Sequence, residues 1–194
     1  NLTSNAGVLL LLNYTEEQNI FQDLNEMLFF ENSSTEMIKM NHLKTLMCGG
    51  FVGIDKLERF NLLKNDPLIK ECGIDVREPE NISRFLYKFS FKTTQMLRDI
   101  NFKTFKKLLR KKKLRNIVID IDSRVVNVEG NQEGAVKGYN PGNKGNNCYN
   151  ILMAFCDELK AYITGFMRSG NAYTANGSAE MIKEIIANLE GDVD

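Results

Sequence analysis

The chain has 194 residues, with 25 Lys+Arg balanced by 25 Asp+Glu, so its formal net charge is zero. That balance excludes a globally basic nucleic-acid binder but leaves room for a local basic patch, and the length suffices for one large domain or two small ones. The four cysteines (Cys48, Cys72, Cys148, Cys156) form no CxxC pair and His42 is the single histidine, which argues against a zinc site and for reduced thiols in a cytosolic protein. The apolar run 9–12 is too short to span a membrane, and no basic segment precedes it as in a signal peptide.

Residues 1–115 read as helical. The apolar segment 6–12 predicts a short buried helix. Thr15-Glu16-Glu17-Gln18 fits a capping box opening a second helix, with Ile20, Phe21, Leu24, Met27 and Leu28 on one face. Ser33-Ser34-Thr35-Glu36 repeats the pattern before a Met-rich stripe, Met37, Met40, Leu43, Leu46 and Met47, which Gly49-Gly50 is expected to stop. That stripe reads as core, and His42 as a surface or lightly buried residue of the same helix. A short helix over 55–63 follows, and Asp66-Pro67 opens another. After a loop over 73–79, Asn81 or Ser83 introduces a helix with Phe85, Leu86 and Phe89. A long helix then carries Phe91, Met96, Leu97, Ile100, Phe105, Leu108 and Leu109.

The end of that helix is basic and free of acids: Lys103, Lys106, Lys107, Arg110, Lys111, Lys112, Lys113 and Arg115. Cations complement a helix C-terminus, but so one-sided a run is better explained by contact with nucleic-acid phosphates. After Arg115 the period changes from helical to strand-like, which sets a boundary between a helical domain, 1–115, and a second domain, 116–194.

The second domain opens on Asn116-Ile117-Val118-Ile119-Asp120-Ile121-Asp122-Ser123, a β-branched strand. Alternation puts Ile117, Ile119 and Ile121 on one face and Val118, Asp120 and Asp122 on the other. Acids inside a buried strand are costly unless paired or bound to metal. Either the strand ends in solvent here, or a carboxylate holds a hard divalent cation such as Mg²⁺ or Mn²⁺. A Gly/Asn/Lys-rich loop over 130–147 leads to a hairpin of strands 149–156 and 161–167, a polar loop 168–176, and an amphipathic helix 178–189 with Met181, Ile182, Ile185, Ile186 and Leu189 inward. Three antiparallel strands and one helix leave a sheet face and an edge open. More sheet is therefore expected beyond Asp194, beside the strand of Asp120 and Asp122.

The segments Ile119-Asp120-Ile121-Asp122-Ser123, Gln132-Glu133-Gly134-Ala135, Lys137-Gly138-Tyr139-Asn140-Pro141 and Arg168-Ser169-Gly170-Asn171, with Leu2-Thr3-Ser4-Asn5-Ala6-Gly7 and Leu63-Lys64-Asn65-Asp66-Pro67-Leu68, closely resemble bacterial DDE-type transposases of the insertion-sequence 1380 group. The resemblance runs end to end in matching order, departing at Asn147-Cys148-Tyr149-Asn150, where a Ser-Tyr-His-Pro-like run is more usual. It implies an α+β chain: a helical, DNA-binding N-terminal domain and the first half of an RNase H-like catalytic core, three antiparallel strands plus a helix. It further implies a metal-dependent endonuclease for DNA transposition, in which Asp, Asp and Glu hold two divalent metals (Mg²⁺ or Mn²⁺). One metal activates the attacking oxygen and the other stabilises the leaving oxygen.

By that likeness Asp122, directly before Ser123, is the first catalytic acid and metal ligand. Asp120 is the fallback, or a supporting group. The second Asp and the Glu are expected beyond Asp194, so this chain alone is expected to be inactive. Lys137, Lys144 and Arg168 are candidate DNA contacts, while Tyr139 and Tyr149 could stack on a base but more readily pack. Implied partners are transposon terminal inverted repeats, target DNA and further copies of the chain, in a bacterial cytoplasm at the nucleoid. A reading of another class is a non-catalytic DNA-binding remnant that inhibits transposition.

Overall fold

The structure, a computed structural model, describes residues 3–30, 36–130, 132–138, 145–173 and 175–193. The chain divides into two compact units, Asn1–Ile100 and Asn101–Asp194. The division falls inside a continuous helix, upstream of the change of period at Arg115.

The first unit is helical. Its elements are α1 (Gly7–Glu17), α2 (Ile20–Met27), α3 (Glu36–Phe51), a 3-10 turn (Leu57–Phe60), α4 (Asn61–Lys64), α5 (Pro67–Glu71), α6 (Pro79–Leu86) and the first half of α7 (Phe91–Lys112). Several boundaries differ from the sequence reading, for local reasons. Thr15 does not cap a helix: it lies inside α1, with its hydroxyl donating to the Leu12 carbonyl. The break comes at Asn19, whose left-handed φ of 58° ends one helix and starts the next. Helix α1 is not buried all round either, since Val8 and Leu12 face the core while Leu9, Leu10 and Leu11 are exposed.

Gly49-Gly50 does not stop α3. The helix runs to Phe51 and ends in a Schellman motif, Gly53 N–H donating to Gly50 and Ile54 N–H to Gly49, with Gly53 at φ 74°. Gly49 is required for another reason: a Cβ there would lie 2.4 Å from the Phe60 ring. The second capping box, at 33–35, lies outside the described residues. Helix α6 starts at Pro79, ahead of Asn81 and Ser83.

Two of the segments that carry the family resemblance meet at Asp66. Its Oδ1 caps α5 by accepting from Leu68 N and Ile69 N at 2.9 and 3.3 Å. Its Oδ2 accepts from Thr3 Oγ1 at 2.7 Å and Asn5 Nδ2 at 2.9 Å. Burial pushes the Asp66 carboxyl up, but these four hydrogen bonds together hold it below the usual carboxylate range. Stability from a depressed carboxyl is present above the unfolded pKa of about 3.9 and is lost as pH falls through the folded value. Asp66→Ala is expected to cost about 2–3 kcal/mol. Urea titrations at neutral pH and at acid pH check it: the gap between wild type and variant should shrink as acid protonates Asp66.

The second unit is a sheet covered on one side. Strands β1 (Ile119–Asn127), β3 (Asn147–Cys156) and β4 (Ala161–Ser169) are antiparallel, with β3 between the other two. A two-residue strand, β2 (Val136–Lys137), adds to β3 beyond the end of β4. The sequence reading placed only loop there. Helix α8 (Ser178–Leu189) follows. Phe102, Phe105 and Leu109 of α7 and Met181, Ile185 and Leu189 of α8 pack on Leu152, Ala154, Cys156 and Ile163, with Ile117, Ile119 and Ile121 completing the layer. Ile182 and Ile186, expected inward, are exposed. The fold is therefore α+β, helices first and antiparallel sheet second, consistent with a partial RNase H-like core. Among the described strands, β1 forms one edge and β4 with the short β2 the other.

Candidate functional site

Strand β1 turns its isoleucines to the helices and its acids away from them. Asp120, Asp122 and Arg124 are exposed in sequence alternation with half-buried Ile119, Ile121 and Ser123. The register puts Asp120 opposite Phe155, which in turn pairs with Tyr162, and Asp122 opposite Met153, which pairs with Gly165. The Phe155 and Tyr162 rings meet edge-on at 5.8 Å. The acids thus lie on an open sheet face, at an edge strand, beside aromatic residues.

The two carboxylates differ in their surroundings. Asp122 Oδ1 accepts from its own strand, Ser123 N, at 2.7 Å. Asp120 lies near Lys160, at the left-handed end of the β3–β4 turn. The Lys160 ammonium is held above its ordinary value by its hydrogen bond to Asp157, and attraction to Asp120 adds to this. Among the described residues no group of three or more His, Cys, Asp or Glu side chains is placed to hold a metal ion. Asp122 and Asp120 are hard oxygen donors, open to solvent and acceptor-only, so they suit a Mg²⁺-type ion as part of a ligand set.

The basic run ends α7 with its own Schellman motif. Lys113 N–H donates to the Arg110 carbonyl and Leu114 N–H to the Leu109 carbonyl, with Lys113 at φ 55° where glycine is usual. The side chains then divide. Lys106 and Arg110 pair with Asp192, at 3.5 and 2.7 Å, and the Arg110 hydrogen bond holds that carboxyl below its ordinary value. Lys103 is exposed and Lys107 half-buried, and both have partners of their own. Lys111, Lys112, Lys113 and Arg115 are exposed, and none has an ion-pair partner among the described residues. They form the accessible part of the patch.

The remaining motif residues gather at the far end of the sheet. Gly138 and Gly170 bring their backbones together: a Cβ on Gly138 would lie 1.7 Å from the Gly170 carbonyl oxygen. Cys148 is buried there, its Sγ 3.6 Å from the Val136 oxygen and 3.9 Å from that of Gly170. Arg168 spends its guanidinium on the protein, donating to Asn150 Oδ1 at 2.6 Å and to the carbonyls of Tyr173 and Asn176. Tyr149 donates to the Glu133 carbonyl, which is a packing role. Lys137 is exposed on β2, while Tyr139 and Lys144 lie outside the described residues. Sequence reasoning singled out these motifs but could not see that they hold one another.

The family model described as "Transposase DDE domain group 1" matches residues 1–193, and the chain belongs to that family of DDE-type transposases. No curated protein and no solved structure matches the chain. Its reaction is therefore of the DNA transposition and recombination class. No described helix is long and apolar enough to cross a membrane.

Proposed function

We propose that this chain supplies the DNA-binding helices and the first catalytic acid of a bacterial insertion-sequence transposase of the 1380 group, acting on transposon ends by strand cleavage and transfer. Asp122 is the first acid of the set. The observation that carries this reading is its position: an exposed carboxylate on the edge strand β1, facing away from the core and paired, among the described strands, with β3 alone. A strand bearing the second Asp fits beside that edge, and a Glu from a later helix completes the set. Asp122, with those two, would hold Mg²⁺ or Mn²⁺, which when bound supplies activation of the attacking oxygen and stabilisation of the leaving one. Asp120, near Lys160, supports the site without leading it.

DNA binding falls to the helical domain, 1–115, and its basic end. Lys111, Lys112, Lys113 and Arg115 contact phosphates directly, Lys103, Lys106, Lys107 and Arg110 contribute to the positive field, and Lys137 adds a contact from β2. Arg168 holds the carbonyls of Tyr173 and Asn176 beside β4. Work at the nucleoid, on terminal repeats, by paired copies of the protein, follows from the same reading.

Two measurements on the purified chain test it. Incubated with supercoiled plasmid and Mg²⁺ or Mn²⁺, the chain alone is expected to leave the DNA intact, and robust metal-dependent nicking would overturn the assignment of missing acids. The double variant Lys111→Gln, Lys112→Gln should bind duplex DNA roughly thirtyfold more weakly at about 0.15 M salt, with a salt slope shallower by about 1.8, as expected for two lost phosphate contacts. Fluorescence anisotropy across a salt series reads both numbers. An unchanged slope would remove these residues from the interface.

A further inference from the structure

A cleft of about 530 Å³ opens in the helical unit between α3, the 73–78 loop and α6. Lys39, Arg77, Arg84 and Lys88 line it, against a single acid, Asp75, which pairs with Arg77 at 2.7 Å. Arg84 is exposed and has no ion-pair partner among the described residues. At the base of the cleft stands His42. The sequence reading made it a surface or lightly buried residue; only 6% of it is exposed, and it stacks on Phe85 at 4.8 Å.

Its hydrogen bonds are half complete. Nδ1 lies 2.8 Å from the Ile38 carbonyl, which can only accept, so Nδ1 carries the proton. Nε2 is buried and has no hydrogen-bond partner among the described residues. A buried polar atom left without a partner is costly, so such atoms are rare. Lys39 is spent on the carbonyls of Asn25 and Leu28 and Arg77 on Asp75, so a ligand entering the cleft would meet the exposed Arg84 guanidinium and, at the base, the His42 nitrogen. An imidazole protonated on both nitrogens can donate Nε2–H to an anionic oxygen. Arg84 offers a planar fork suited to the same group.

We propose that this cleft is a phosphate-binding site, distinct from the basic end of α7, that seats a phosphate group against His42 Nε2 and Arg84. Its source is either the backbone of bound DNA or a free phosphate. The proposal rests on the DNA-binding reading only for the first source.

His42 is the one histidine of the chain, so its ring resonances report on the cleft without overlap. The experiment titrates the histidine-labelled 194-residue chain with inorganic phosphate and, separately, with a short duplex, while anisotropy follows duplex binding. A saturable His42 shift on adding duplex, with affinity at least tenfold weaker in Arg84→Gln, supports the DNA source. A saturable shift with phosphate that weakens likewise in Arg84→Gln supports the free anion, even if duplex binding fails and the DNA reading falls with it. Duplex binding with no His42 shift from either titrant overturns the site and leaves the DNA reading standing. Because Arg84 is exposed, Arg84→Gln should fold normally, and circular dichroism checks that. His42→Phe, which removes the orphan nitrogen and keeps the stack, should weaken phosphate binding without loss of stability.

Discussion

If Asp122 is the first acid of a set with a second Asp and a Glu, as proposed, Asp122→Asn is expected to slow strand cleavage about a thousandfold. Loss of one ligand charge removes several kcal/mol of charge stabilisation at the reacting phosphate, and each 1.36 kcal/mol is a factor of about ten in rate. Asp120→Asn is expected to cost only about ten- to a hundredfold, the range for a group that supports a ligand rather than being one. The distinction rests on the surroundings of each carboxylate: among the described residues Asp122 accepts from the N–H of Ser123, whereas Asp120 lies in the field of the Lys160 ammonium. Neither side chain is buried, so both variants should keep their stability to within about 0.5 kcal/mol. Duplex affinity should also hold, since neither change removes a phosphate contact. Single-turnover cleavage rates decide between the two acids. If Asp120→Asn proves the more damaging, the first ligand is Asp120.

What the sequence could show about this site was its alternation. A strand has a period of two, so Ile117, Ile119 and Ile121 had to separate from Asp120 and Asp122, and they do. The limits of α8 and the hairpin turn were readable for similar reasons, because strong periodicity and local turn chemistry agree there. The break between α1 and α2 was not. Thr15 and Gln18 have the right spacing for a capping box, but spacing cannot tell whether the chain turns before Thr15 or after it, and the left-handed Asn19 decided the matter. Helix faces were misjudged where a single side of packing was assumed too wide: Ile182 and Ile186 belong to the pattern of α8 yet stand outside the contact with the sheet. His42 was hidden for another reason. Its burial depends on Phe85, which lies 43 positions away, and nothing in the local sequence announces that pairing.

The same blindness to distant partners covered the junction of Gly138, Cys148 and Gly170, and there Gly170→Ala is expected to be among the most damaging single changes in the second unit. A methyl group at Gly170 would lie 2.3 Å from the Val136 oxygen, 2.4 Å from the Cys148 oxygen and 2.6 Å from Cys148 Sγ. Two of those three atoms are backbone, so no side-chain rotation relieves the clash. Either β2 leaves β3, or the end of β4 moves away from Cys148. Both routes undo the hydrogen bonding that Arg168 and Asn150 impose on the following loop. A cost above about 4 kcal/mol is expected, in the range kept for overpacked cores and broken buried networks. Gly145→Ala is the control. Gly145 has φ +89° and no atom of the described residues within 4 Å of an added Cβ, so only the backbone strain of about 1–2 kcal/mol should appear. Urea titrations measure both values. Thiol labelling followed by mass mapping adds a local reading: Cys148, buried in the native junction, should become reactive in Gly170→Ala before Cys48 of the helical unit does. Equal protection of Cys148 in both variants would mean that the junction tolerates the methyl group. Arg168 and its loop would then be held by something other than this close approach.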